Sequence, residues 1–136
     1  MHLMENKFLK YEAEIYFFIS LSQKYFHSYY ENLIYYKDDE PSLYILFIEF
    51  ANILTEEFNF LEIKQKENIF HYIEKMLISN DKYLSEATAT GLLETMIIKA
   101  ENIDKTNNLR TNILDFCLKN SLDYIKNWSK FQNINL

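Results

Sequence analysis

Apolar side chains recur along this chain at intervals of three and four, the spacing that lines one face of an α-helix. Polar clusters at Lys37–Glu40, Asn59–Glu62, Ser79–Asp81 and Asn102–Asn108 interrupt the pattern and cut out about five principal helices. The first block, about Glu5 to Tyr36, would make a rod of about 48 Å, which overhangs a small domain. A break is therefore expected near Ser20 to Gln23, where two serines interrupt the aromatic run, although one rod remains an alternative. The second helix is predicted from Glu40-Pro41, since proline suits a first turn whose N–H has no helical partner, to about Phe58. Leu43, Phe47, Phe50, Leu54 and Phe58 form its apolar face. Glu49, Asn52 and Glu56 share the opposite wedge with Ile45 and are expected to face water or a partner.

The third helix, about Glu62 to Ile78, sorts into inward Ile63, Ile69, Phe70, Ile73, Met76 and Leu77 and outward Lys64, Glu67, Asn68, His71 and Lys75. Asn80 is placed as N-cap of the fourth, about Asp81 to Glu101. That helix has two apolar arcs, Leu92, Leu93, Met96, Ile97 and Ala100 on one side and Leu84, Ala87, Gly91 and Ile98 on another, and is expected at the centre. Gly91 costs about 1 kcal/mol against alanine in a helix interior, and close helix approach is the expected compensation. Between the arcs runs a polar strip of Glu86, Thr90, Glu94 and Glu101. The fifth helix, capped by Thr106 or Asn107 and running to about Lys130, turns Leu109, Ile113, Cys117, Leu118, Tyr124, Ile125 and Trp128 inward, and the tail from Phe131 is expected to fray.

Composition sharpens this picture. One Gly and one Pro in 136 residues exclude folds built on many tight turns, so the class is all-α, a compact bundle or a short solenoid-like stack. The length fits a single domain. The net charge of −6 disfavours nucleic acid and anionic membrane as partners and favours a basic one. The first 68 residues hold 12 acidic and 6 basic side chains, and Asp38, Asp39, Glu40, Glu49, Glu56, Glu57 and Glu62 follow one another with no Lys or Arg between. Read blandly, this is a solvated acidic surface that keeps the chain soluble. With a single cysteine, no leader pattern and no apolar run of membrane length, a cytoplasmic location is expected.

Little catalytic chemistry can be placed. Cys117 lies between apolar neighbours with no base beside it and reads as a structural thiol. Glu67 and His71, like His27 and Glu31, are four apart where inward-facing di-iron pairs need three, so no metal is expected. Arg110, the lone arginine, has no histidine after it, and phosphate-cradling loops need more glycines than one. No enzyme activity and no cofactor are expected. The tyrosines Tyr29, Tyr30, Tyr35 and Tyr36 cluster near the end of the first block, where packing and a partner surface are both open readings.

Three stretches, Leu43-Tyr44-Ile45-Leu46-Phe47-Ile48-Glu49-Phe50, Phe70-His71-Tyr72-Ile73-Glu74-Lys75-Met76-Leu77 and Tyr83-Leu84-Ser85-Glu86-Ala87-Thr88-Ala89-Thr90-Gly91-Leu92-Leu93-Glu94, resemble small helical bacterial immunity proteins of contact-dependent growth inhibition and polymorphic toxin systems. The resemblance spans residues 43 to 94. It implies a protein that binds one cognate toxin domain and blocks its active site, with Glu74, Gly91 and Glu94 as the matching positions. An acidic surface suits that task, because toxins that cut nucleic acid carry basic clefts. The expected partner surface is Glu49, Asn52 and Glu56 on the second helix with Glu86, Glu94 and Glu101 on the fourth, on a chain taken as a monomer. The alternative is a helical adaptor or regulator whose partner is not a toxin.

Overall fold

The computed structural model describes residues 10–35 and 42–136, and among them every regular element is helical. In chain order these are α1 (Glu12–Ile19), α2 (Gln23–Tyr35), α3 (Leu43–Glu57) with a 3-10 turn (Phe58–Phe60), α4 (Ile63–Leu77), α5 (Lys82–Glu86) continuing through a π segment (Ala87–Leu93) into α6 (Glu94–Ile103), α7 (Asn108–Phe116) and α8 (Lys119–Phe131). With 82–103 counted as one rod, the described residues make seven helices where about five were predicted.

One extra boundary is the expected break, with residues 20–22 separating α1 from α2. The other divides the predicted fifth helix at Cys117 and Leu118, whose backbones are extended with ψ of 136° and 178°. No proline or glycine marks it. A carboxylate from another helix holds the new N-terminus instead: Glu74 of α4 accepts from the backbone N–H groups of Asn120 and Ser121 at 2.8 and 2.9 Å, and from Asn120 Nδ2 and Ser121 Oγ at 2.8 Å each. An acidic side chain is favourable there because the first turn of a helix presents unpaired donors.

Two predicted helix starts are corrected and a third is supplemented. Ser42, whose hydroxyl accepts from Ile45 N at 3.0 Å, opens the second predicted helix, and Glu40-Pro41 lie outside the described residues. Asp81 replaces Asn80 at the start of α5, accepting from Leu84 N at 3.1 Å while also holding Lys10 at 3.2 Å. Asn107 stands at the N-cap of α7 without a side-chain bond and Thr106 Oγ1 accepts from Asn108 N at 3.4 Å, as expected of them, but Asp104 adds further capping bonds. Its carboxylate accepts from Thr106 N at 2.9 Å and Leu109 N at 3.0 Å, while Asn107 adopts a left-handed φ of 66°. At the other end the chain after α8 does not simply fray, since Asn133 turns left-handed and Ile134 N donates back to Ser129 O at 2.9 Å.

One hydrophobic cluster runs from Tyr11 to Ile125 and includes the whole predicted face of the second helix. Its aromatic centre joins α1, α2 and α3, with Phe50 at 5.0 Å from Phe18 and 5.3 Å from Tyr25 between ring centroids. Such pairs each add about 0.5–1.5 kcal/mol beyond area burial. The rod over 82–103 packs against α3, α4, α7 and α8, which is the central position expected. Gly91 comes so close to α3 that a Cβ there would lie 3.1 Å from Phe47 Cβ and 3.1 Å from Tyr44 O. In the wide turn around it, the hydroxyls of Thr88 and Thr90 bond the carbonyls of Leu84 and Glu86 at 2.8 and 2.7 Å, an alternative to the regular α-helical pairing.

Two inward assignments fail. Ile63 is exposed because it is the first residue of α4, beyond the packed part of the rod. Ile98 is exposed because it follows the π segment, whose wider turn puts a projection at 100° per residue out of phase. Cys117 packs against the cluster as a half-buried residue, its Sγ bonded to Ile113 O at 3.5 Å. Burial, helped by the Glu74 carboxylate, pushes the thiol up to about 12. Maleimide labelling of the native protein at neutral pH is accordingly expected to run about 100-fold or more slower than that of the urea-unfolded chain, because the thiolate is the reactive form. Equal rates in the two states would contradict it.

Candidate functional site in the α2–α3 cleft

The six expected partner residues are distributed over several helix contacts. Glu49 turns toward α2, where Oε1 accepts from Ser28 Oγ and from Asn32 Nδ2 at 2.9 Å. Glu56 pairs with Lys99 of α6 at 3.2 Å, and Glu101 with Arg110 of α7 at 2.7 Å. Glu94 accepts a hydrogen bond from the Tyr124 hydroxyl of α8, and burial followed by that bond raises the tyrosine's pKa. Asn52 is half-buried and Glu86 exposed. Four of the six thus spend at least one polar contact inside the fold, and the strips on the second and fourth predicted helices do not form one open acidic band. The three positions matched by the resemblance also have fold roles: Glu74 caps α8, Gly91 admits α3 and Glu94 joins α8 to the central rod.

The least expected surface belongs to α2. Its buried positions are Tyr25, Ser28 and Asn32, two of them polar. On its open side Phe26, Tyr30 and Ile34, four residues apart, stay 46%, 51% and 53% exposed, and Phe26 stacks on Tyr30 at 6.0 Å. Tyr29 and Leu33 pack against the core between these two sides. A helix selected for stability alone would place apolar residues inward and polar ones outward. Here part of that sorting is reversed, leaving an apolar stripe at the surface. Tyr36, the last member of the tyrosine cluster, lies outside the described residues, as do Asp38, Asp39 and Glu40 of the acidic run.

On another flank of the same helix, Glu31, Asn32 and Tyr35 of α2 and Glu49 of α3 line an open cavity of about 350 Å³. Among the described residues, two carboxylates and no cation line it. Both hydrogen bonds of the Asn32 amide nitrogen go to acceptors, Ser28 O at 2.8 Å and Glu49 Oε1, so the amide orientation is fixed by chemistry. The carbonyl Oδ1 is left buried without a partner. A second polar cavity, of about 360 Å³, borders Arg110, but there the guanidinium already meets Glu101. Periodicity missed the stripe because Phe26, Tyr30 and Ile34 are spaced like a core face; the buried polar pair at Ser28 and Asn32 was the signal for the opposite orientation.

Among the described residues, no cluster of three or more His, Cys, Asp or Glu side chains has the arrangement to hold a metal, and no helix is long and apolar enough to cross a membrane. The described residues define an all-helical fold that carries an exposed apolar stripe on α2 and a cavity bordered by two carboxylates. The chain belongs to the family described as Domain of unknown function (DUF7674), whose pattern matches residues 17–113 and so takes in α2, α3 and the central rod. No curated protein and no solved structure matches it.

Proposed function

We propose that this protein is an immunity protein, a non-enzymatic inhibitor that docks on a basic toxin domain through α2 and the α2–α3 cleft and occludes its active site. The observation that carries the reading is the reversed sorting of α2, with Ser28 and Asn32 inside and Phe26, Tyr30 and Ile34 outside, on a helix that also borders a cavity lined, among the described residues, by the carboxylates of Glu31 and Glu49 and by no cation. Apolar and aromatic stripes bordered by one sign of charge supply, respectively, contact area and steering toward a partner of the opposite sign. The resemblance over residues 43 to 94 gives the reading its toxin-directed form. The broader acidic surface, Glu86 and Asn52 included, forms the rim, and the cytoplasm is the compartment in which such an inhibitor meets its toxin.

The test is binding of the full chain to the basic domain encoded by the adjoining reading frame, followed by surface plasmon resonance. Tyr30→Ala is expected to weaken binding by about 10- to 100-fold through faster dissociation. Glu31→Lys is expected to slow association at low salt, with the difference shrinking as salt screens it. Unchanged kinetics in both variants, or no binding by the wild-type chain, would remove this function.

A further inference from the structure

The cavity of about 360 Å³ beside Arg110 is assembled from segments that contribute nothing to the α2–α3 cleft: Glu101 of α6, Lys105 and Asn107 of the following loop, Arg110 of α7, and Asn133 and Asn135 after α8. Arg110 is buried to all but 7% of its surface. Within its guanidinium, Nη1 donates to Glu101 at 2.7 Å and Nε is enclosed by the protein, but Nη2 is neither bonded nor enclosed and remains a donor at the cavity wall. Lys105 is exposed and pairs with no carboxylate among the described residues. The side chains of Asn107, Asn133 and Asn135 make no hydrogen bond among the described residues either, so their amides border the same space uncommitted. Asn107 at φ 66° and Asn133 at φ 57° are the only described residues with a left-handed backbone, and both stand at this cavity. Such sparsely populated conformations gather at ligand sites. Two cations meet one carboxylate on the walls, so in a chain of net charge −6 this cavity has the opposite local sign. Asp104, in the same loop, has both carboxylate oxygens committed to the start of α7.

We infer that this cavity binds a phosphate group, with Arg110 Nη2, Lys105 Nζ and the asparagine amides donating to its oxygens. A carboxylate is best recognised by the fork of a free guanidinium, and here Glu101 and the protein interior already occupy most of that fork. What is left is a set of single N–H donors on separate segments of chain, which suits a tetrahedral group with several outward oxygens and up to two negative charges. Glu101 also fixes the guanidinium by holding Nη1, so Nη2 is presented with little side-chain freedom left to lose on binding. The volume lies at the lower end of small-molecule pockets, which leaves room for a phosphate and a few carbons. The site goes beyond the proposed function, and its ligand does not depend on that reading.

The experiment titrates sodium phosphate and, separately, glycerol 3-phosphate into the full-length isotope-labelled chain at about pH 7, where phosphate carries about −1.5 to −2 charges. Ionic strength is held constant with sodium chloride. Nuclear magnetic resonance follows the backbone of residues 105–110 and 133–135 and the side-chain amides of Asn107, Asn133 and Asn135. Saturable shifts centred on those residues are expected, with a dissociation constant on the order of 1–10 mM for so small a probe. Sodium acetate should bind about tenfold more weakly than phosphate. Lys105→Gln, at an exposed position, is expected to weaken phosphate about five- to tenfold, and Lys64→Gln, on the exposed face of α4, should not change it. Arg110→Lys keeps a cation for Glu101 but lacks Nη2, and is expected to weaken phosphate about tenfold; should that buried variant fail to fold, the Lys105 variant decides. Tighter binding of glycerol 3-phosphate assigns an organic phosphomonoester, and equal binding assigns the phosphate ion itself. Linear, unsaturating shifts, acetate bound as tightly as phosphate, or equal affinity in the Lys105 and Lys64 variants would overturn the site.

Discussion

Gly91→Leu is expected to lower the unfolding free energy by about 3 kcal/mol or more, the upper range for overpacking a close-packed interior. The physical obstacle is already present at the first side-chain atom, since a Cβ would sit 3.1 Å from both Phe47 Cβ and the Tyr44 carbonyl oxygen. Tyr44 O belongs to the backbone of α3 and has no rotamer to change, and Phe47 is fully buried among Phe18 and Phe50. Three further carbons can enter only if α3 and the central rod separate. Gly91→Ala is the informative partner variant: its squeeze of a few tenths of an ångström is opposed by about 1 kcal/mol of improved helix propensity, so its net effect should be far smaller. Urea unfolding followed by far-ultraviolet circular dichroism measures both. A leucine variant within about 0.5 kcal/mol of the wild type would show that the two helices do not pack as described.

Glu74→Ala is expected to cost about 2 kcal/mol, because a single carboxylate terminates four donors at the start of α8 and two of them are backbone N–H groups with no helical alternative. Burial works to raise the Glu74 pKa, but the bonds from Asn120 and Ser121 outweigh it and hold the group below its ordinary value. A depressed folded-state pKa means that the stabilisation is fully present above the unfolded value of about 4.3 and is lost as pH falls through the folded one. Asp81, held down first by Leu84 N, and Asp104, held down first by the Thr106 side chain, act in the same direction. The midpoint of thermal unfolding should therefore drop as the pH is lowered below about 4, and Glu74→Gln should flatten part of that drop. A Glu74→Gln protein with the wild-type acid profile would show that this carboxylate is not the cap of α8.

Much of the fold was legible in the order of residues. The period of the apolar positions and the scarcity of glycine and proline required an all-helical chain, and the two apolar arcs around Gly91 required a central helix, because a strip buried on both sides can be satisfied only between other helices. The break at residues 20–22 was marked by its serines. The break at Cys117 was not, because its cause is Glu74, more than forty residues away, and no local pattern records a cap supplied by another helix. The same separation governs the candidate site. Sequence placed Glu49, Glu56, Glu94 and Glu101 on outward strips, since a projection knows the angle of a side chain around its own helix and nothing of the neighbour it meets. Tertiary packing assigned Lys99 to Glu56, Arg110 to Glu101, Tyr124 to Glu94 and the Ser28–Asn32 pair to Glu49. Packing also decided the orientation of α2, whose apolar residues are numerous enough to line either side. By burying Ser28 and Asn32 against Glu49, it left Phe26, Tyr30 and Ile34 facing outward. Composition determined that this protein is helical and acidic; the contact between α2 and α3 decided which flank of α2 borders an acidic cavity and which carries an apolar stripe, because that arrangement depends on side chains meeting across two helices.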